Sequence, residues 1–183
     1  MRIHDLTVRL AAVRLVAMDV DGTYTDGLLY YDADGRVMKG FHAHDGFALQ
    51  LLKLTDIRCG FITGRHDNAT KARADYLKVD FCLSLIGDKG EALRQVLSEY
   101  GIASEESMFI GDDLNDLKAF DVAGVTVAVR NASIHIKKRA DIVTGAAGGA
   151  GAVREVVELI LRARGIDPVA LWNSAQNGVV GRL

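Results

Sequence analysis

At 183 residues, 49% hydrophobic and 25% charged, the chain is long enough for one globular domain with a real core, and this composition excludes a disordered chain. A net charge of -2, with the Lys and Arg residues scattered rather than striped, excludes the electrostatic footprint of a nucleic-acid binder, so a small-molecule partner is expected. Arg2, Asp5, Arg9 and Arg14 interrupt the opening stretch, which therefore reads as neither a signal peptide nor a membrane span; a cytoplasmic protein with no membrane contact is expected, its Cys59 and Cys82 reduced core thiols without metal spacing.

The first strong feature is the apolar run at 15–18, which ends in Asp19-Val20-Asp21-Gly22-Thr23. It reads as a buried strand releasing its chain into a loop at its carboxyl end. Once the chain turns at Gly22 both carboxylates can face one pocket, where two like charges repel by roughly 4 kcal/mol at an effective dielectric of 20, so a cation is expected between them. The plainer reading is a turn, since Asp and Gly are favoured turn residues.

Two short strands, 28–31 and 36–41, flank Asp32-Ala33-Asp34-Gly35, so a β-hairpin is predicted within about 24–41. A helix is predicted from near Asp45 as its N-cap, then a strand over 57–62 that stops at Thr63-Gly64-Arg65. Residues 68–78 read as a helix and 79–83 as a short strand; a helix over 89–100 lies between Asp88 and Gly101. Met108-Phe109-Ile110 ends in Gly111-Asp112-Asp113, with a helix to about 122, strands at 125–129 and 141–143, and a short helix over 134–139 between them. A last helix over 151–164 carries Val153, Val156, Val157, Ile160 and Leu161 on one face. This alternation predicts an α/β fold: one domain over 1–183 with a doubly wound, mostly parallel, Rossmann-like sheet. The tail, 165–183, has weak periodicity and is expected to be partly mobile or docked on a neighbour.

Four polar clusters fall at the carboxyl ends of predicted parallel strands: Asp19 with Asp21, Thr63, Asp88 with Lys89, and Asp112 with Asp113 and Asp116. In a doubly wound sheet those ends converge on one crevice. A nucleophilic carboxylate, a second carboxylate, a hydroxyl, an ammonium and a further acidic cluster suit phosphoryl transfer through an aspartyl phosphate. Thr63 and Lys89 can hold phosphate oxygens, while Mg²⁺ on carboxylates cancels the repulsion between anionic nucleophile and anionic substrate. Lys89 in a first helical turn opposes the helix dipole by roughly 0.3 to 1 kcal/mol, so it wants an anion beside it. The competing readings are a solvated lysine, a turn threonine and helix-capping acids, of which one is expected to cap. His42 and His44 alternate on one strand face, as a metal pair, a substrate contact from His44, or ordinary histidines.

Residues 19–23, Ile62-Thr63-Gly64-Arg65, Lys89 and Gly111-Asp112-Asp113-Leu114-Asn115-Asp116 resemble, in order, the four motifs of the haloacid dehalogenase superfamily. Thr25-Asp26-Gly27, the hairpin, Lys39 with Phe41, Asp45-Gly46, Gly148-Gly149 and 151–155 are similar to its capless branch of 3-deoxy-D-manno-octulosonate 8-phosphate phosphatases. The resemblance implies Asp19 as nucleophile, Asp21 as general acid and then base, and Thr63, Gly64 and Lys89 around the phosphoryl group. It also implies Mg²⁺ on Asp19, the Asp21 carbonyl and Asp112, support from Asp113, Asn115 and Asp116, and substrate contacts from Arg65, His44 and Asp45. The implied activity is a phosphomonoesterase acting on a small acidic sugar phosphate, in lipopolysaccharide biosynthesis. A phosphotransferase with the same intermediate, or an accessory subunit that kept the fold, are the alternatives; a phospho-accepting receiver is disfavoured by motif order. Ala150 and His44 depart from the branch, which usually has Arg at the first site and often at the second. Since no lid fits between 20 and 57, and Leu28, Leu29, Tyr30, Tyr31, Val37, Met38 and Phe41 exceed what a two-stranded ribbon can bury, a homo-oligomer is expected. The resemblance implies a tetramer in which an adjacent subunit roofs the site.

Overall fold

The structure is a computed structural model that describes residues 3–180. Its strands are β1 (Leu15–Met18), the hairpin pair β2 (Tyr30–Tyr31) and β3 (Val37–Met38), β4 (Arg58–Ile62), β5 (Phe81–Leu83), β6 (Ser107–Gly111), β7 (Val125–Ala128) and β8 (Ile142–Val143). Its longer helices are α1 (Ile3–Ala12), α2 (Ala43–Leu52), α3 (Asn68–Leu77) and α4 (Lys89–Tyr100) before β6, then the short α5 (Leu117–Phe120) and α6 (Ile134–Lys137), and finally α7 (Ala152–Ala163) and α8 (Pro168–Val180). Six strands make one parallel sheet in the order β5-β4-β1-β6-β7-β8, apart from the two-stranded hairpin. The chain winds outward from β1 to one edge and then from β6 to the other, so the carboxyl ends of these two neighbours form the crevice where such sheets bind ligands. Every residue of β1 and β6 is buried, which is why β1 and the Met108-Phe109-Ile110 of β6 read as apolar runs.

Local capping chemistry explains several boundaries. Asp88 starts α4 by accepting the amide of Glu91 at 3.1 Å, and Gly101 ends it in the left-handed region. Asp67 starts α3 by accepting the amide of Thr70 at 2.8 Å. The helix predicted to run to about 122 is instead a 3-10 turn, Leu114–Asp116, followed by α5. Asp116 folds back to accept the amides of Asp112 at 2.8 Å and Asp113 at 3.2 Å, which closes this turn tightly.

Other departures come from contacts distant in sequence. Helix α2 starts at Ala43 with His42 in the cap position, so Asp45 lies inside the first turn rather than capping it. Asp45 caps a different helix: its buried carboxylate accepts the amides of Gly151 at 3.1 Å and Arg154 at 2.8 Å at the start of α7. The tail forms α8, begun by Pro168 at its first position, and Trp172 packs edge-on against Phe47 of α2 with ring centroids 4.8 Å apart. Its first turns thus dock on the chain itself. Cys59 is buried but Cys82, on the edge strand β5, is exposed, so only the first is a core thiol. Among the described residues no helix is long and apolar enough to cross a membrane.

The hairpin pairs only Tyr30 with Met38 and Tyr31 with Val37, closed by Asp32, whose carboxylate accepts the amides of Asp34 and Arg36. Leu28, Tyr30, Tyr31 and Met38 are each more than half exposed.

Candidate active site

A cleft of about 270 Å³ opens over the carboxyl ends of β1 and β6, lined by Asp19, Asp21, Thr63, Gly64, Arg65, Asp112, Asp113 and Asn115. All of these were singled out in the sequence. Asp19 leaves β1 with its amide bonded to the carbonyl of Ile110 on β6, so the two strand ends are tied together at the site. At the base of the cleft the Lys89 ammonium, almost fully covered, stands 2.7 Å from Asp19 Oδ1 and 2.6 Å from Asp116 Oδ1. Asp116 is spent on structure, because its other oxygen takes the amides of Asp112 and Asp113 just before the 3-10 turn. Asp113 caps that turn through the amide of Leu114 at 2.8 Å, so one of the three acids is a cap, as expected.

Asp112 accepts the hydroxyl of buried Thr23 at 3.0 Å, a partner that sequence reading assigned no role. Gly22 has φ +99 and a Cβ there would lie 2.2 Å from Asp112 Oδ2, so only glycine lets the loop after β1 close on the acid from β6. On the loop's other side Gly148 lies against the carbonyl of Gly22, where a Cβ would come within 1.8 Å, and the Gly149 amide donates to Thr23 O at 3.2 Å. The 145–151 loop thereby braces the loop carrying Asp19 and Asp21.

Three carboxylates, Asp19, Asp112 and Asp116, crowd around one ammonium. Burial, with the neighbouring carboxylates adding to it and Lys89 opposing it, pushes Asp19 from 3.8 to about 7. Burial, and then Asp116, push Asp112 from 3.8 to about 6. Burial alone would lower Lys89, but Asp19 and Asp116 more than reverse that and hold its charge more firmly than usual. Both partners of the Lys89–Asp19 pair are thus raised, because Lys89 gains two anions while Asp19 is buried and faces two further anions that its one cation does not offset. The surplus negative charge in a dry site is what a divalent cation would neutralise. Oxygen donors only, with ligand atoms of Asp19, Asp112 and Asp116 within 4.8 Å of one another, fit a hard ion such as Mg²⁺. Since Asp116 is already engaged, Asp19 and Asp112 are the side chains left to hold it.

Thr63 directly follows β4 with its side chain buried, its hydroxyl accepting the amide of Arg65 at 3.2 Å. Arg65 is mostly exposed at the mouth, its Nε 3.7 Å from Asp21 Oδ2. Asn115 is exposed on the rim.

The chain matches the family of haloacid dehalogenase-like hydrolases over residues 83–156. It is 36% identical over 161 residues to the 3-deoxy-D-manno-octulosonate 8-phosphate phosphatase KdsC of Haemophilus influenzae, covering 88% of this chain and 89% of that one. The chain belongs to this phosphatase family. The crystal structure of the Moraxella catarrhalis phosphatase in complex with magnesium ion, phosphate ion and KDO superposes with a TM-score of 0.87 at 37% identity, covering 90% of this chain and 94% of that one. A cobalt-bound form of the Haemophilus influenzae phosphatase gives 0.84 at 36% identity, covering 86% and 92%.

Within this octulosonate phosphatase fold, two expected substrate contacts stand differently. Asp45 is excluded from the cleft, since it is fully buried and its carboxylate is spent on the start of α7. Asp45→Ala should strip two helix amides of their acceptor and lower stability by about 1 to 3 kcal/mol. Thermal unfolding checks this, and an unchanged Tm would remove the cap from the argument. His42 and His44 sit at the start of α2 with rings edge-on at 5.1 Å, not along a strand, and neither belongs to the acidic group that could hold a metal. His44 and Ala150 are both exposed.

Proposed function

We propose that the chain is a Mg²⁺-dependent phosphomonoesterase that hydrolyses 3-deoxy-D-manno-octulosonate 8-phosphate or a closely related ulosonate phosphate. The observation that carries this is the convergence of Asp19, Asp21, Thr63 and Asp112 on one cleft, with the Lys89 ammonium beneath it 2.7 Å from Asp19. Asp19 attacks phosphorus and the ester oxygen leaves with a proton from Asp21, giving an aspartyl phosphate and a free alcohol. Asp21 then takes a proton from water, whose oxygen displaces phosphate from Asp19. Thr63, Gly64 and Lys89 bind phosphoryl oxygens, and the bound Mg²⁺ supplies charge neutralisation between nucleophile and phosphate. Asp19, Asp112 and the Asp21 carbonyl would hold it.

The substrate class rests on the named relatives and on the Moraxella complex with KDO. Arg65, which lines the cleft mouth, is the cation offered to the sugar carboxylate. Phosphate release from a panel of sugar-acid, neutral-sugar and nucleoside monophosphates with Mg²⁺ tests the reading; a neutral sugar phosphate preferred over every ulosonate phosphate would overturn it. Surface-exposed Cys82 as a free thiol suits a reducing cytoplasm.

Asp21→Asn should cost roughly 10² to 10⁴ in kcat with an alkyl ester, and much less with an aryl ester whose leaving group needs no proton. Equal losses on the two esters would argue against the acid role.

We further infer a closed homotetramer in which the hairpins meet and a neighbour roofs the cleft, supported by the exposed Leu28, Tyr30, Tyr31 and Met38 on a ribbon of two paired residues per strand. Tyr30→Glu with Met38→Glu should yield smaller species in sedimentation and reduce kcat/KM, although neither residue lines the cleft. A fully active monomer would sink the shared-site arrangement.

A further inference from the structure

The return strand of the hairpin delivers one lysine into the interior. The side chain of Lys39, directly after β3, is fully covered, and its ammonium stands 2.7 Å from Asp21 Oδ1 and 2.6 Å from Asp67 Oδ2. It donates hydrogen bonds to Asp67 and, at 3.1 Å, to Thr70. Asp67 is itself fixed as the cap of α3 by the Thr70 amide, so the ammonium is anchored on a helix start. Neither oxygen of Asp21 receives an aligned hydrogen bond. The contact between Lys39 and Asp21 therefore holds the carboxylate by charge through Oδ1, while Oδ2, 3.7 Å from Arg65, is the oxygen left to exchange a proton. Arg65, the other cation near Asp21, is at 3.7 Å and mostly exposed, so water screens it and its side chain is held less firmly. Attraction between a covered ion pair at contact distance is screened far less.

We propose that Lys39 is a positioning residue for proton transfer, holding Asp21 where it meets the ester oxygen from an anchor on Asp67 and Thr70. Because Lys39 follows β3, it also ties the seating of the hairpin to that proton transfer. This rests on Asp21 as general acid and base, and it adds a group that touches neither phosphate nor metal. An anchored acid delivers its proton from one geometry, and misplacement by about 1 Å can cost on the order of 10²-fold.

The test compares Lys39→Met, Lys39→Arg, Asp21→Asn and the double variant Asp21→Asn/Lys39→Met as full-length enzyme with Mg²⁺. The substrates are p-nitrophenyl phosphate and the alkyl monoester turned over fastest in the substrate panel. Lys39→Met should lower kcat on the alkyl ester by about 10- to 100-fold, with a much smaller loss on the aryl ester and little change in KM. The double variant should be no slower than Asp21→Asn alone, and Lys39→Arg should recover part of the loss. If Lys39→Met does not fold, Asp67→Asn, which weakens the anchor without touching Asp21, should show the same alkyl-selective loss in smaller degree. Equal losses on both esters, or a double variant slower by the product of the single effects, would overturn the role of Lys39. If Asp21→Asn itself shows no dependence on the leaving group, the acid assignment fails instead.

Discussion

Asp19→Asn should lower kcat by on the order of 10⁴-fold or more, a barrier increase of about 5.5 kcal/mol, because an amide is a poor nucleophile at phosphorus. No neighbour can substitute. Among the other acids at the cleft base, Asp116 is locked on Lys89 and two amides, and Asp112 is held by Thr23. The fold should survive, since the change keeps the shape of the side chain and removes one of three carboxylates crowded around a single ammonium. The Tm of the metal-free variant should therefore match or exceed that of the parent, which separates loss of chemistry from loss of structure. Turnover near the parent rate would refute the assignment of Asp19.

Chelation should have an equally complete effect: EDTA abolishes turnover and Mg²⁺ restores it. The same site predicts how stability responds to pH. Burial raises Asp19 from 3.8 to about 7 and Asp112 from 3.8 to about 6, so in this range the folded state holds protons that the unfolded chain has released. Their contribution is fully present below about pH 4 and is lost as pH rises through about 6 and 7. Mg²⁺ binds the ionised carboxylates, so the rise in Tm that it produces should grow between pH 5 and pH 8, on the order of the shift set by its concentration relative to Kd. Calorimetry at matched ionic strength checks this. A Mg²⁺ effect independent of pH, or turnover surviving exhaustive chelation, would remove Asp112 as a ligand.

The cleft was legible before any coordinates because its parts are local signals. Asp19, Thr63 and Asp112 each follow an apolar run directly, and Lys89 follows its capping Asp88; an ordered series of parallel strands brings such strand ends to one edge of the sheet. Helix α4 was equally legible, since its Asp88 cap and Gly101 stop are near neighbours in sequence. The apolar excess of the hairpin could also be counted from sequence, because a two-stranded ribbon has no interior in which to hide it.

What tertiary structure alone decided are the pairings across long stretches of chain. Asp45 looked like the cap of its own helix, yet α7 lies close enough for its first amides to take the carboxylate, across 106 and 109 residues. Helix α8 has little periodicity to announce it, and its place is set by Trp172 meeting Phe47. Lys39 is one of the residues that carry the family resemblance, but its place between Asp21 and Asp67 is decided only when β3 lays it there. Residue type and spacing along one element determine which groups can reach a strand end, whereas the partner of a buried charge depends on which distant segment supplies the opposite charge in the space it occupies. That choice exists only after the layers have packed.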